Sequence, residues 1–285
     1  MCPIETHDPQ TGGGVVTWSV GIIEIGVLPG CPLSSYVWGA RDDLLLDVPC
    51  YCWLLRDAHT SVLVDTGPDT AASEDVGYEV AGDTRVSLLQ GLRARGVAPA
   101  NVTMIVHTHL HQDHIQNDAL FPNAEVVVQR RELEAARVAE AACRGLSLSD
   151  RAAIAAGPYA RSQEAGIWYI GTAEIEAQLG ERLRIVEGEV EILPGITVTP
   201  SGGHTAGHQS VLVSTKEGTA CIAGDIVSLS VNADVIGPMT PDAAATRAFL
   251  ERVRTSPWEL IPSHDPAMRD HRWYVSTVPP ASRKG

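Results

Sequence analysis

The sequence predicts an α/β fold, and three observations carry that prediction. Short apolar runs rich in β-branched residues end repeatedly in turn signals, which is how strands feeding loops are written. Two longer segments between them carry helical spacing and strong helix formers. In the second half the short turn-bounded runs dominate, so an alternating βα half is followed by a strand-rich half.

The elements follow in chain order. Ser61–Val64 runs into the turn Asp65-Thr66-Gly67, residues 102–106 run into a cluster of histidines, and residues 125–128 stop before Gln129. Each reads as a strand delivering a loop. Residues 84–95 and the stretch RRELEAARVAEAAC at 130–143 read as helices. The Ala-rich span 144–182, broken at Gly157-Pro158 and carrying Tyr159, Trp168 and Tyr169, reads as a helical insertion, either packed surface helices or a lid over a pocket. Strands are then expected at 183–187, 190–193, 196–199, 210–214 and 220–223. A helix is expected from Thr240-Pro241-Asp242, with Thr as its cap and Pro in its first turn, to about Arg254. Nothing in the chain reads as a short repeat or interdomain linker, so residues 1–285 are expected to form a single domain.

Composition narrows the function. The 285 residues include 35 acidic and 21 basic side chains, a formal net charge of −14, and no basic cluster longer than Arg130-Arg131 precedes Arg283-Lys284. A field of that sign repels phosphate backbones, which argues against a nucleic-acid partner. The N-terminal MCPIETHDPQTGGG lacks a basic region followed by an apolar stretch, and no apolar run of about 18 residues occurs, so no membrane association is expected. Cys2, Cys31, Cys50, Cys52, Cys143 and Cys221 are scattered without C-x-x-C spacing and read as reduced core residues of a cytoplasmic protein. An acidic, moderately apolar chain is compatible with a homodimer.

The chemistry concentrates in HTHLHQDH at 107–114, which holds four of the chain's ten histidines. If the strand continues into this loop, His109 and His111 point to one side and can chelate one ion. Asp113 and His114 follow on a tightening turn, where they could face a second. Further donors sit at the ends of other apolar runs: His204 in SGGHTAGH, Asp225 in CIAGD and His264 in IPSHD. Imidazole nitrogen mixed with carboxylate oxygen suits Zn²⁺ or a similar divalent ion, with iron, manganese and cobalt also accepted.

HLHQDH at 109–114, together with LVDTG at 63–67, GGHTAGH at 202–208, AGD at 223–225 and SHD at 263–265, resembles the metallo-β-lactamase superfamily over most of the chain. The resemblance implies a four-layer αβ/βα sandwich with a dinuclear metal site at the edge of two facing sheets. It also implies that His109, His111 and His204 bind one ion, Asp113, His114 and His264 bind the other, and Asp225 bridges them. Asp65 would orient ligands rather than bind metal; His107 and His208 would play supporting roles.

The implied reaction is hydrolysis. Two divalent ions roughly 3.5 to 4 Å apart activate a water held between them, and the resulting hydroxide attacks an ester-type carbonyl. Glu in place of His111 would point to oxygen-reducing relatives, and a missing Asp225 to true β-lactamases; neither departure is present. The phrases SSYVWGARDD, VPCYCWLLRDAHTSVLVDTG, VVVQRRELEAA and TPSGGHTAGHQSVLV further resemble N-acyl homoserine lactonases, implying a quorum-quenching lactonase with a small ester or lactone substrate. Asp113 would relay a proton to the leaving group. Ser228 stands three residues after Asp225, where many such lactonases carry a tyrosine that hydrogen-bonds the substrate, and Ile115-Gln116-Asn117 replaces small residues, so the pocket floor is expected to be reshaped. Pocket walls are expected near residues 36–46, 168–169 and 228–236. An acyclic ester or a thioester is the alternative substrate, and a non-catalytic metal-binding scaffold is a third reading.

Overall fold

A computed structural model describes residues 16–74, 78–143, 145–155, 166–169 and 172–274. The expectations attached to the N-terminal segment, to Gly157-Pro158, Tyr159 and to Arg283-Lys284 lie outside the described residues.

Two sheets face each other. The first contains β1 (Ser19–Pro32), β2 (Leu45–Arg56), β3 (Ser61–Val64), β4 (Met104–Val106), β5 (Glu125–Gln129) and β6 (Leu183–Val186), in that spatial order. β1, β2 and β3 pair antiparallel, and β3 to β6 pair parallel. The second contains β7 (Val190–Leu193), β8 (Ile196–Pro200), β9 (Gln209–Thr215), β10 (Gly218–Ile222) and β11 (Trp258–Ile261) in the order β11-β10-β9-β8-β7, with only β10 and β11 parallel.

β3, β4 and residues 48–55 of β2 read as nearly unbroken apolar runs because both of their faces are covered. On β2, Tyr51, Trp53 and Leu55 pack toward the second sheet, where they meet Ile196, Val198, Val211 and Val213. The alternate residues Cys50, Cys52 and Leu54 pack on the other face with Leu88, Leu92 and Leu133. These leucines come from α2 (Thr84–Ala94), which follows the short α1 (Thr70–Glu74), and from α4 (Arg130–Cys143), which follows the short α3 (Gln112–Ile115). Past α5 (Leu148–Ala155) and α6 (Thr172–Leu179), the outer face of the second sheet is covered by α7 (Ala243–Thr255), through Phe249 and Leu250 on Cys221 and Ala223. Helix, sheet, sheet, helix is the four-layer arrangement of the prediction. The described residues contain no helix long and apolar enough to cross a membrane.

Two local readings change. α7 is capped by Asp242, whose carboxylate accepts from the Ala245 N–H, whereas the Thr240 hydroxyl donates to the Gly237 carbonyl. Asp also satisfies a helix start, and it stands immediately before the first helical residue. β4 ends at Val106, so the strand does not run on through the histidines.

Strand direction sets the site. β3, β4, β8, β10 and β11 all release their chains at the same edge, into the loops bearing Asp65, His109, His204, Asp225 and His264 respectively. Gln209, at the start of β9, donates its backbone N–H to the Thr108 carbonyl at 2.8 Å and its side-chain amide to the His107 carbonyl at 2.7 Å, which ties the two sheets together at that edge.

Candidate metal centre

The loop after β4 is shaped by a buried carboxylate. Asp65 accepts from the Thr108 N–H through Oδ1 and from the Thr108 hydroxyl through Oδ2, both at 2.8 Å. With its own hydrogen already given to Asp65, the Thr108 oxygen accepts from Nδ1–H of His109 at 3.0 Å, turning Nε2 of that ring toward the centre. His111 caps α3, whose single turn carries Asp113 and His114. The rings of His109 and His111 lie with centroids 4.5 Å apart although no strand joins them.

The remaining histidines are aimed in the same manner. His114 donates from Nδ1 to Asp65 Oδ2 at 2.8 Å, His204 from Nδ1 to the Met239 carbonyl at 2.6 Å, and His264 from Nδ1 to the Pro49 carbonyl at 2.8 Å. A proton fixed on Nδ1 leaves the lone pair on Nε2, which is the form that binds metal. Asp225 is held by its N–H on His208 Nε2 at 3.0 Å and by the Ser263 hydroxyl on Oδ1 at 2.6 Å.

Two groups of donor atoms result, within each of which all lie within 4.8 Å of one another: His109, His111 and His204, and Asp113, His114, Asp225 and His264. Asp225 faces both. Its Oδ1 is 3.1 Å from His264 Nε2 and 3.4 Å from His114 Nε2, and its Oδ2 is 3.5 Å from His204 Nε2. Asp113 Oδ2 lies 3.6 Å from His114 Nε2 and 3.8 Å from His264 Nε2.

Electrostatics divides the groups in the same way. Burial and the neighbouring imidazoles of His114, His111 and His204 hold His109 well below the ordinary histidine pKa, and burial with His204 does the same to His111. Burial opposes the charged form of His114 and His264 too, but nearby carboxylates outweigh it and raise both: Asp113 and Asp225 for His114, Asp225 for His264. Burial would raise Asp225, yet His264, His114 and His204 hold it well below the usual carboxylate range.

The donor set fits divalent cations. Nε2 of His109 and Nε2 of His114 are buried without a hydrogen-bond partner, a costly arrangement unless something electropositive faces them. His204 Nε2 and His111 Nδ1 meet at 3.1 Å in the first group. Three imidazoles in one group, two imidazoles and two carboxylates in the other, with one carboxylate facing both, is a nitrogen-and-oxygen set that suits zinc-like ions.

Other residues singled out in the sequence take definite places. His107 pairs through Nε2 with Asp118 at 2.8 Å, and its Nδ1 lies 3.6 Å from Asp65, so it braces the loop from behind. His208 spends its nitrogens on Ser201 and on the Asp225 N–H. Ser228 is buried beside Asp225, its hydroxyl donating to the Asp225 carbonyl at 3.3 Å and its carbonyl accepting the His264 N–H at 2.9 Å. Gln116 and Asn117 hold the loop after β3: the Gln116 side-chain oxygen Oε1 accepts from the Asp69 N–H, and the Asn117 side-chain amide donates to the carbonyls of Thr66 and Pro68.

Sequence reasoning missed Glu132 as a site-organising residue. It sits in the first turn of α4, a place that normally faces water, but is buried against the loops after β4 and β8. It also missed Tyr78, whereas Tyr36 opens the stretch 36–46 expected to form a pocket wall; burial raises both phenols well above ordinary tyrosine, the charge of Asp113 reaches both, and Asp225 adds to it at Tyr36. Tyr78 packs against Trp168, with ring centroids 5.7 Å apart, so one turn of the insertion borders the centre.

A four-layer sandwich whose aligned loops gather five histidines and two aspartates at one sheet edge defines a class, and the family profile of the metallo-beta-lactamase superfamily matches residues 45–264. The chain belongs to that superfamily. It is similar to an N-acyl homoserine lactonase from a Bacillus species, with 28% identity over 183 residues that span 61% of each chain. It is also similar to the metallo-beta-lactamase domain-containing protein 1 of Xenopus laevis, 29% identical over 254 residues, covering 87% of this chain and 86% of that one. Among solved structures, an N-acyl homoserine lactone hydrolase with N-hexanoyl-L-homoserine at its catalytic metal centre superposes with a TM-score of 0.67 at 21% identity, covering 90% of this chain and 96% of that one. The dizinc quorum-quenching lactonase AidC superposes with a TM-score of 0.61 at 17% identity, covering 89% of each.

Proposed function

We propose that the chain is a metal-dependent hydrolase that opens a lactone, an N-acyl homoserine lactone or a related ring. The observation that carries this reading is the pair of donor groups sharing Asp225. In it, His109, His111 and His204 would hold one divalent ion, Asp113, His114 and His264 a second, and Asp225 would serve both. The Bacillus lactonases similar to this chain support the choice of a lactone.

Two bound ions, taken to be zinc, supply Lewis acidity that polarises an ester carbonyl and acidifies water near neutral pH. The chain's own residues do the rest. Asp65, Met239 and Pro49 fix the imidazoles of His114, His204 and His264 so that little reorganisation accompanies the reaction. Asp113, whose side chain is 14% exposed, would relay the proton given up by the attacking water to the departing alkoxide. Ser228 serves the substrate oxygen by rotating its hydroxyl away from the Asp225 carbonyl, a 3.3 Å bond that is easily given up. The free thiols among the described cysteines support a reducing, cytoplasmic setting, and the chain works as one domain with 144–182 as its insertion.

Purified protein loaded with zinc, and the same protein stripped by a chelator, should be assayed on acyl homoserine lactones, other lactones, acyclic esters and thioesters. Metal-dependent ring opening favoured by at least a hundredfold over the acyclic substrates is the expected result. Two bound ions with no ring opening in any lactone would sink the reading, and a thioester preference of that size would move it to the alternative substrate.

A further inference from the structure

We infer that Glu132 is the positioning carboxylate of the His109, His111 and His204 group, and that it governs the ion held there while leaving the second ion largely untouched. This rests on the two-ion reading above.

Glu132 is 1% exposed and receives four hydrogen bonds from three separate parts of the chain. Oε1 accepts from the Leu110 N–H at 3.0 Å and from the Tyr169 hydroxyl at 3.1 Å. Oε2 accepts from the Thr205 hydroxyl at 2.7 Å and from the Gly207 N–H at 2.9 Å. Burial raises Glu132 above the ordinary glutamate pKa, and all four hydrogen bonds oppose that shift, the Leu110 and Gly207 N–H groups, one on each oxygen, being able only to donate.

The partners are what give this arrangement meaning. Leu110 lies between His109 and His111, Thr205 directly follows His204, and the Tyr169 ring rests edge-on against His111 with centroids 4.7 Å apart. All three imidazoles of one donor group are thus set by backbone or rings that Glu132 holds. The other group is organised by different atoms: Asp65 for His114, the Pro49 carbonyl for His264 and the Ser263 hydroxyl for Asp225. Asp65 reaches both halves, His114 directly and His109 through the Thr108 hydroxyl, whereas the four bonds of Glu132 all run to segments that carry or touch the first group. Because Tyr169 belongs to the insertion, Glu132 also makes that segment part of the support for the first ion.

The test is stepwise zinc affinity, measured by competition with a chromophoric chelator, for the wild type, Glu132→Gln, His204→Ala and His264→Ala. Gln keeps the shape of Glu132 but turns an amide N–H₂ toward two of the four donors. The expected result is two ions in the wild type, and in Glu132→Gln a loss of about ten- to a hundredfold at one ion only, the ion that His204→Ala also loses and His264→Ala keeps. Tyr169→Phe and Thr205→Val each remove one donor without adding one, and should weaken the same ion by a smaller factor; they decide the matter if Glu132→Gln fails to fold. Equal weakening of both ions, or unchanged affinities, would overturn the inference while leaving the two-ion reading in place. A wild type that takes up fewer than two ions would remove both.

Discussion

Asp65 Oδ2 and His114 Nδ1 lie 2.8 Å apart, and among the described residues Asp65 is the one non-glycine with a positive φ, 57°. That backbone conformation costs on the order of 1–2 kcal/mol for a side chain with a Cβ. A glycine would avoid the cost but could not bond His114 and Thr108 together. The strain is retained for the carboxylate.

Asp65→Asn should therefore lower affinity for the ion at Asp113, His114 and His264 by about ten- to a hundredfold, because one carboxylate oxygen becomes a donor facing donors. Equilibrium dialysis against zinc, compared with His264→Ala, measures it, with a smaller loss expected at the other ion because Asp65 also holds the Thr108 hydroxyl that orients His109. Unchanged binding at the His114 ion would show that His114 needs no orienting partner.

Ser228→Ala should cut kcat/KM for the lactone by about a hundredfold to a thousandfold with both ions retained, the range set by removing one donor from a developing charge. Tyr36→Phe is the informative companion, since the charges of Asp113 and Asp225 both reach that phenol. If Ser228→Ala is silent and Tyr36→Phe carries the loss, the donor to substrate is the phenol from the segment between β1 and β2.

How much of this was legible depended on whether a residue's role was local. Val62 and Val64 facing one way and Leu63 the other form a strand whatever lies beyond, so β3 was readable from four letters. The seven donors stood out because four of them crowd one motif, HLHQDH, and His204, Asp225 and His264 each end an apolar run beside small residues. Glu132 was not, because a glutamate in a helix's first turn has the same sequence appearance whether it faces water or the back of two loops distant in sequence. The cap of α7 was ambiguous between Thr240 and Asp242, and tertiary bonding of Thr240 to Gly237 decided it.

Gly207→Ala should destabilise the protein by roughly 1–3 kcal/mol, the usual cost of forcing atoms into a packed site. A Cβ there would stand 2.0 Å from the Glu132 nitrogen and 2.5 Å from its Cα, and backbone at the start of α4 cannot swing aside as a side chain can. The same displacement would break the Gly207 to Glu132 hydrogen bond. Thermal unfolding of the metal-free protein measures the steric cost by itself; an unchanged midpoint would mean that the loop after β8 has more freedom than its contacts indicate.

Thiol reactivity offers a pH-dependent check on the wall of the site. Cys50, Cys52, Cys143 and Cys221 are buried, and Cys31 is partly exposed. Burial pushes the Cys31 thiol up to about 11, a hydrogen bond from Tyr36 opposes that, and the charges of Asp113 and Asp47 reinforce it. Only the thiolate alkylates, so at pH 8 on the order of one Cys31 in a thousand is reactive, and the rate should rise about tenfold for each pH unit until it levels near 11. Iodoacetamide labelling followed by peptide mapping should show that slope at Cys31 and almost no labelling at the buried four until the protein unfolds. Since Asp113 raises the thiol, a divalent ion held by Asp113 would oppose that charge and lower the thiol's pKa. Zinc-loaded protein should then label several-fold faster at Cys31 than metal-free protein at the same pH; equal rates would place the ion away from Asp113.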